Sequence, residues 1–304
     1  GSGKWSPPAL GDITYALADA RTGYSNRTVL SQFGRHPPRD YFAPAYAAGH
    51  ARRAALSSTG RDANDANAFS IDWKGTFAAA RGLNGAKVVL GVKHLGSKYL
   101  RLYHFGNVST ANAITAVDDF RNHMATKYDV QLSRCLMDRD STFVSPSFTR
   151  HLESVGINPD FGGAEDHWEL GSIESLWRRW ACFVISALKA AALDETYWGF
   201  ASEMFEELHN NLPHAGNSGS MSPLAVLDAA PPDLTHLRAP FCPAYVLDHN
   251  TTSLQERARV GIFVGYPIHT RNGVWRVYFP DTKSVQTTRH VRFDEHAVVS
   301  GASN

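Results

Sequence analysis

The segment from Leu170 to Leu193, LGSIESLWRRWACFVISALKAAAL, constrains the fold most strongly, because it predicts a single long amphipathic helix. Its apolar side chains recur along one stripe with helical spacing: Ile173, Trp177, Trp180, Val184 and Leu188. Glu174 and Arg178 are four residues apart, so they lie together on an adjoining face of the helix. A stiff helix of this kind can direct one carboxylate at a fixed point of the surrounding domain.

Two upstream aspartates are the candidate neighbours of that carboxylate. Asp72 ends the strand-like segment AFSID (68–72), and Asp138 ends a second strand-like segment, LSRCLMD (132–138). Together with Glu174 they offer only carboxylate oxygens, which Mg²⁺ and Mn²⁺ prefer to imidazole or thiolate ligands. Thirty-five residues separate Asp138 from Glu174. The sequence therefore predicts a metal site formed by two strand-end aspartates and one helical glutamate.

Each of these acids also has a simpler structural interpretation. Asp72 could open the turn that follows it, and Asp138 could pair with Arg134 or Arg139 on a surface turn. Glu174 could be no more than the i, i+4 partner of an arginine, an interaction worth about 0.3–0.5 kcal/mol. For one acid taken alone, the structural interpretation is the better one. The metal site is favoured only because the three acids occur together with the sequence blocks described next.

Several blocks that follow the acids carry a resemblance to a known family. They are Glu174-x-x-x-Arg178, Tyr197-Trp198, NNLP (210–213), SPLAVL (222–227), FCPAYV (241–246), RARVGIFVGYP (257–267) and TRHVRFDE (288–295). With the spacing of the acids, they resemble the D,D-35-E integrases of retroviruses and retrotransposons, and the copia type in particular. The resemblance covers residues 66–296.

The resemblance implies a function and a set of site residues. Asp72, Asp138 and Glu174 would be the catalytic residues and would hold two Mg²⁺ or Mn²⁺ ions. The reaction would be two-metal phosphoryl transfer, which trims a DNA 3′ end and then joins it to target DNA. The resemblance also implies that Arg178 contacts phosphate. Such chemistry exchanges one phosphodiester for another and needs no nucleotide cofactor.

The chain departs from the family pattern at three places around the acids. RDSTF (139–143) stands where the family has Asn-Gly-x-Glu-Phe, and HWELG (167–171) stands for Pro-x-x-Asn-Gly. Ser175-Leu176 replaces the Arg-Lys that normally follows the glutamate. Two classes of function therefore stay open: an active integrase, and a degenerate or domesticated descendant that binds DNA without cutting it. A plain metal-dependent nuclease is a third interpretation, which gives the basic terminal segments no role.

The first 55 residues predict a small helical domain. In copia-type integrases this region carries a zinc-binding His-His-Cys-Cys set. Alignment on the family pattern places Asp19, Tyr24, Ala43 and Tyr46 at the four ligand positions, and no cysteine precedes Cys135. These residues cannot replace a structural zinc-ligand set, so we expect no structural zinc.

The pattern of the remaining chain predicts an α/β fold. A polar linker (56–67) precedes a core at 68–230, in which three strands are followed by helix, strand, helix, strand and helix. That order indicates a mixed sheet with flanking helices, the ribonuclease H-like layout that the resemblance implies. A second linker (231–240) leads to a small β-barrel-like domain at 241–304.

The distribution of charge favours a DNA partner more than the net charge of +1 does. Residues 21–61 hold seven arginines against one acid, and residues 257–292 hold seven basic residues against one acid. The candidate DNA-binding residues are Arg52, Arg53, Arg178, Arg179, Arg257, Arg259 and Arg276. Basic surfaces beside an acidic metal centre suit double-stranded DNA, because the phosphate backbone supplies most of the binding energy. A solvated loop and strand surface is the alternative interpretation.

Composition sets the remaining expectations. The chain has 304 residues with 43% hydrophobic content, no run of eighteen apolar residues and three cysteines without paired spacing. We therefore expect a soluble intracellular protein with reduced thiols and no membrane partner. The resemblance further implies a homo-oligomer on paired DNA ends, acting in the nucleus after assembly in cytoplasmic particles.

Overall fold

The structure is a computed structural model that describes residues 65–81, 83, 85–161, 167–247, 257–267 and 273–295, and for 167–172 it describes the backbone alone. These residues form two five-stranded sheets and five α-helices. They divide into two units. The first unit holds 65–180 and 206–232, and the second holds 181–205 and 233–295. The predicted helical domain at 1–55 lies outside the described residues, and the predicted domain boundaries stay predictions.

The first unit is built on a mixed sheet. Its strands are β1 (Ala68–Gly75), β2 (Val88–His94), β3 (Leu100–Phe105), β4 (Arg134–Met137) and β5 (Asn158–Phe161). The order across the sheet is β3-β2-β1-β4-β5. Strands β1, β2 and β3 are antiparallel, whereas β1, β4 and β5 are parallel. The central strand β1 therefore has an antiparallel neighbour on one side and a parallel neighbour on the other.

The helices agree with the predicted element order. They are α1 (Thr110–Tyr128), α2 (Pro146–Ser154), α3 (His167–Ala190), α4 (Trp198–Asn211) and α5 (Pro223–Asp228). Helix α1 begins after Ser109, whose side chain accepts a hydrogen bond from the Asn112 amide and satisfies one of the first helical N–H groups. Its apolar residues recur with helical spacing and are buried in the core that covers one face of the sheet, through Ala113, Val117, Phe120 and Met124.

Helix α3 lies three residues upstream of the segment predicted for it. It ends at Ala190 because Ala192 adopts a left-handed conformation, with φ of 52°. The Leu193 amide then donates to the Leu188 carbonyl at 3.0 Å, which closes the helix as a Schellman motif does. The stripe that the sequence predicts is buried at Trp177 and Trp180. The helix is therefore oriented as its periodicity predicts.

Polar side chains of α4 form hydrogen bonds with backbone groups of the edge strand β3. The Asn210 side chain accepts from the Leu100 amide at 2.9 Å and donates to the Leu100 carbonyl at 2.8 Å. Glu206 accepts from the Leu102 amide at 2.7 Å. An edge strand with unpaired backbone groups is a template for unwanted strand pairing, and these bonds occupy three such groups of β3.

The second unit contains an antiparallel sheet. Its strands are β6 (Pro243–Leu247), β7 (Ala258–Phe263), β8 (Trp275–Phe279), β9 (Ser284–Thr288) and β10 (Val291–Phe293), in the order β10-β6-β7-β8-β9. A Cβ on Gly261 would lie 2.5 Å from the Val277 side chain, so the close approach of β7 and β8 requires glycine there. The small β-domain predicted for the C-terminal residues is confirmed as a sheet. None of the described helices is long and apolar enough to cross a membrane.

Two neighbouring histidines of the first unit are predicted to weaken the protein in acid. Burial, together with Arg179, Lys93 and Lys98, lowers the pKa of His214 to about 3, and burial holds the pKa of His209 well below its usual range. Below pH 6.5, therefore, these histidines bind protons in the unfolded chain but stay neutral in the folded chain. Between pH 7 and pH 5, His214 alone removes up to about 2 kcal/mol from the free energy of unfolding.

Urea unfolding of His214→Gln at both pH values measures this effect. We expect a smaller loss of stability in acid than in the wild type, whereas substitution of the exposed His290 by glutamine leaves the loss unchanged. Equal pH dependence in wild type and His214→Gln would contradict the assignment.

Candidate metal centre

The sheet brings two of the three predicted ligands together. In the parallel pair of β1 and β4, Phe69 lies opposite Cys135 and Ser70 lies opposite Leu136. The same register carried two residues further places Asp72 opposite Asp138, which directly follows β4. The prediction that these two aspartates meet at neighbouring strands is supported by this register.

Asp72 lies inside its strand, not at its end as predicted. Strand β1 continues to Gly75, because Asp72 to Gly75 still pair with Gly91 to Val88 of β2. The interpretation of Asp72 as the first residue of a turn at 73–75 is therefore wrong. Its half-buried side chain belongs to the sheet itself.

The Asp72 carboxylate is in an unfavourable electrostatic environment for a charged group. Burial, and secondly the negative charge of Asp138, raise its pKa from 3.8 to about 6. A hydrogen bond from the Trp177 indole, together with the Trp73 backbone and Lys74, acts in the opposite direction. Two carboxylates that repel each other on adjacent strands form the donor set that a hard divalent cation neutralises.

The surroundings of Asp138 exclude one of its simpler interpretations. Arg134 pairs with Asp65 at 3.0 Å and with Asp160 at 2.9 Å, so its ion pairs point to other acids. Asp138 Oδ1 instead accepts from the Asp140 amide at 3.0 Å. This hydrogen bond forms an Asx turn, which turns the chain after β4 at the place where the family pattern has a glycine.

Glu174 lies on α3 but does not complete a cluster with the two aspartates. Its side chain is exposed, three residues before Trp177, and Trp177 Nε1 donates to Asp72 Oδ2 at 2.8 Å. Within the described residues, no group of three or more histidine, cysteine, aspartate or glutamate side chains could hold a metal ion. The structure therefore brings Asp72 and Asp138 together and places Glu174 one helical turn from a residue that contacts Asp72.

The predicted DNA contacts fall into different environments. Arg178 on α3 and Arg257 ahead of β7 are exposed, and Arg179 is half-buried. Arg52 and Arg53 lie outside the described residues. Exposure is compatible with phosphate contact for Arg178 and Arg257.

Two other predicted DNA contacts already bind acids of the protein. Arg276 pairs with Glu203 at 2.7 Å, with side chains only 14% and 19% exposed. Arg259 pairs with Asp281 at 2.6 Å, and its guanidinium lies 3.9 Å from the centroid of the Phe279 ring. Their placement gives the predicted DNA contact no support, and for Arg276 it indicates a structural role.

Sequence reasoning missed two residues of this site, Trp177 and Gly91. A Cβ on Gly91 would lie 2.9 Å from Trp177 Cζ2, so the indole occupies the space above this glycine. A lone glycine within the apolar strand KVVLGVKHL was the available signal, because such glycines often mark close approaches. Trp177 was recognised only as part of the apolar stripe of α3.

Comparison with known proteins concerns the C-terminal part of the chain. Residues 242–304 match the family described as the retroviral polymerase SH3-like domain. No curated protein matches the chain. The match covers the strands of the second sheet and fits the C-terminal region of a retroviral or retrotransposon integrase. For these C-terminal residues, and at this level, the predicted resemblance is confirmed.

Proposed function

We propose that the protein is a copia-type retrotransposon integrase, which trims the 3′ ends of element DNA and joins them to target DNA. The observation that carries the proposal is the Asp72–Asp138 pair on adjacent parallel strands, with Asp72 contacted through Trp177 by the helix that bears Glu174. The SH3-like match at 242–304 supports it independently, since it concerns a different part of the chain.

The proposed core is ribonuclease H-like. Two features support this layout. The five-stranded sheet is mixed, because β1 pairs in the antiparallel sense with β2 and in the parallel sense with β4, and helices α1 and α2 pack against it. The domain limits proposed for it are residues 68–230. A core of this size can present acids from neighbouring strands and a helix to one point, as phosphoryl transfer requires.

Asp72 and Asp138 would hold one Mg²⁺ or Mn²⁺ ion, and Asp72 with Glu174 a second. Their hard oxygen donors fit these ions. Burial, and secondly the negative charge of Asp138, raise the pKa of Asp72 to about 6, and a bound cation would offset both effects. When bound, the ions supply activation of the attacking oxygen and stabilisation of charge on the transferred phosphoryl group. Arg178, exposed one turn beyond Glu174, would hold the DNA phosphate near the carboxylates.

The proposed partners are the two ends of double-stranded element DNA, target DNA and further copies of this chain. The proposed location is the nucleus, where chromosomal DNA is available. Neither a structural zinc nor a nucleotide cofactor has a role in the proposal.

A second candidate function is a non-catalytic DNA-binding or assembly protein on the same fold. The observation that favours it is the exposed Glu174, which forms no three-ligand cluster with the aspartates in the described part of the chain. The altered sequences at 139–143 and 167–171 point in the same direction.

Strand transfer of a labelled DNA duplex into supercoiled plasmid, with Mg²⁺ or Mn²⁺, separates the two functions. We expect joined products from the wild type, and a loss of roughly 10³-fold or more in Glu174→Gln, since a metal ligand contributes several kcal/mol to the transition state. Glu153→Gln, which removes an exposed acid from α2, is the matched control and should join DNA normally. DNA binding without joining in the wild type would favour the non-catalytic protein.

A further inference from the structure

The indole of Trp177 links helix α3 to one of the proposed metal ligands. We propose that Trp177 is a positioning residue of the metal centre, which fixes the Asp72 carboxylate through its indole N–H and sets the place of Glu174 through the helix. The inference rests on the proposed function, because it takes Asp72 and Glu174 to be metal ligands.

The contact between Trp177 and Asp72 is a hydrogen bond in which the indole is the donor. Trp177 Nε1 donates to Asp72 Oδ2 at 2.8 Å, and the Trp177 side chain is only 5% exposed. A buried indole N–H needs an acceptor, and the indole has no other polar atom. The bond leaves the carboxylate oxygen a second lone pair and holds the carboxyl group in one orientation. The indole therefore acts on a ligand without occupying a ligand position.

The sheet is shaped to admit this indole. Gly91 is the residue directly opposite Asp72 in the pair of β1 and β2. A Cβ at this position would lie 2.9 Å from Cζ2 and 3.0 Å from Cη2 of Trp177, closer than side chains tolerate. Only glycine lets the ring lie against the sheet with its N–H directed at Asp72.

A neighbouring ring supports the orientation of the indole. Trp180 packs edge-on against Trp177, with ring centroids 5.8 Å apart, and it also packs against Phe77 at 5.4 Å. Edge-to-face packing of this kind fixes ring planes as well as burying area. The orientation of the N–H is therefore set by packing on one side and by the Asp72 carboxylate on the other.

The same contact fixes Glu174 along the helix. Residues three apart in a helix have Cβ atoms about 5–6 Å from each other, so Glu174 is separated from the anchoring point by less than one turn. Loss of the hydrogen bond between Trp177 and Asp72 is therefore expected to shift both the Asp72 carboxylate and Glu174. A tryptophan that served packing alone would not have this effect.

Mn²⁺ binding to the full chain at pH 7.5, followed by electron paramagnetic resonance, tests the inference without DNA. Trp177→Phe keeps an aromatic ring over Gly91 and removes the N–H. We expect its Mn²⁺ affinity to fall by about 10- to 100-fold, the usual consequence of losing an outer-shell partner of a ligand. Trp198→Phe removes a similarly buried indole from helix α4, which carries none of the proposed ligands, and its affinity should stay within about twofold of the wild type.

Gly91→Ala provides the second variant if Trp177→Phe fails to fold. The methyl group of alanine displaces the indole but leaves its N–H group in place on the ring, and we expect weaker Mn²⁺ binding in this variant too. Wild-type affinity in a folded Trp177→Phe, or in Gly91→Ala, overturns the role of Trp177 and leaves the proposed metal site intact. A wild-type protein that binds no Mn²⁺ overturns the proposed function and this inference together.

Discussion

Asp72→Asn is expected to stabilise the metal-free protein at neutral pH while abolishing metal-dependent DNA joining. The folded-state pKa of Asp72, about 6, is above its ordinary value of 3.8. Its contribution to stability is therefore complete below pH 3.8 and is lost as the pH rises through 6. Asparagine carries no charge to bury and can still accept the hydrogen bond from Trp177.

The size of the effect follows from the pKa. One pKa unit corresponds to about 1.4 kcal/mol, so between pH 4 and pH 7.5 the wild type should lose about 2–3 kcal/mol relative to Asp72→Asn. Urea unfolding in the presence of a metal chelator measures this difference. In the strand-transfer assay the same variant should lose roughly 10³-fold or more, because it removes a ligand of both ions.

Opposite changes in stability and activity are the distinguishing result. Glu153→Gln is the control, since it removes an exposed acid and should change neither quantity. A variant that is less stable than the wild type at pH 7.5 would show that Asp72 has a structural role, and retained joining activity would remove it from the proposed site.

Arg276→Met is expected to lower the free energy of unfolding by about 3 kcal/mol, because removal of one partner leaves a buried charge unpaired. Arg276 pairs with Glu203 at 2.7 Å, and burial already raises the pKa of Glu203 against the effect of the arginine. The guanidinium also lies 5.6 Å from the centroid of the Phe200 ring. Urea unfolding at pH 7.5 measures the loss.

Two further variants establish the cause. Arg276→Met combined with Glu203→Leu removes both charges and should regain most of the lost stability. Arg257→Met, at an exposed position, should change stability by no more than about 0.5 kcal/mol. If Arg276→Met kept full stability and lost DNA affinity, Arg276 would be a DNA contact, as the sequence predicted.

The helices and strands were predictable because each depends on its own periodicity. The stripe of α1 and the burial of Trp177 and Trp180 follow from helical spacing, and the meeting of Asp72 with Asp138 follows from two strand-like segments with acids at matching places. Local chemistry thus determined which elements form and, for the parallel strands, which acids become neighbours.

Contacts between distant side chains were not predictable in this way. The bond from Trp177 to Asp72 joins residues 105 apart in sequence, and the pair of Arg276 and Glu203 joins residues 73 apart. Such pairs depend on strand register, helix placement and rotamers, none of which a periodic pattern specifies. Charge counting consequently assigned Arg276 to DNA, although its partner is an acid of the same chain.

A divalent-metal site at the Asp72–Asp138 pair is tested most directly by thermal unfolding at pH 7.5 with and without Mn²⁺, in the wild type and in Asp138→Asn. Ligand that binds only the folded state stabilises it by about 2.7 kcal/mol at a concentration 100 times its Kd. We expect Mn²⁺ to raise the Tm of the wild type by several degrees and to leave that of Asp138→Asn nearly unchanged. An equal shift in both proteins, or no shift in the wild type, would contradict a metal site formed by these two carboxylates.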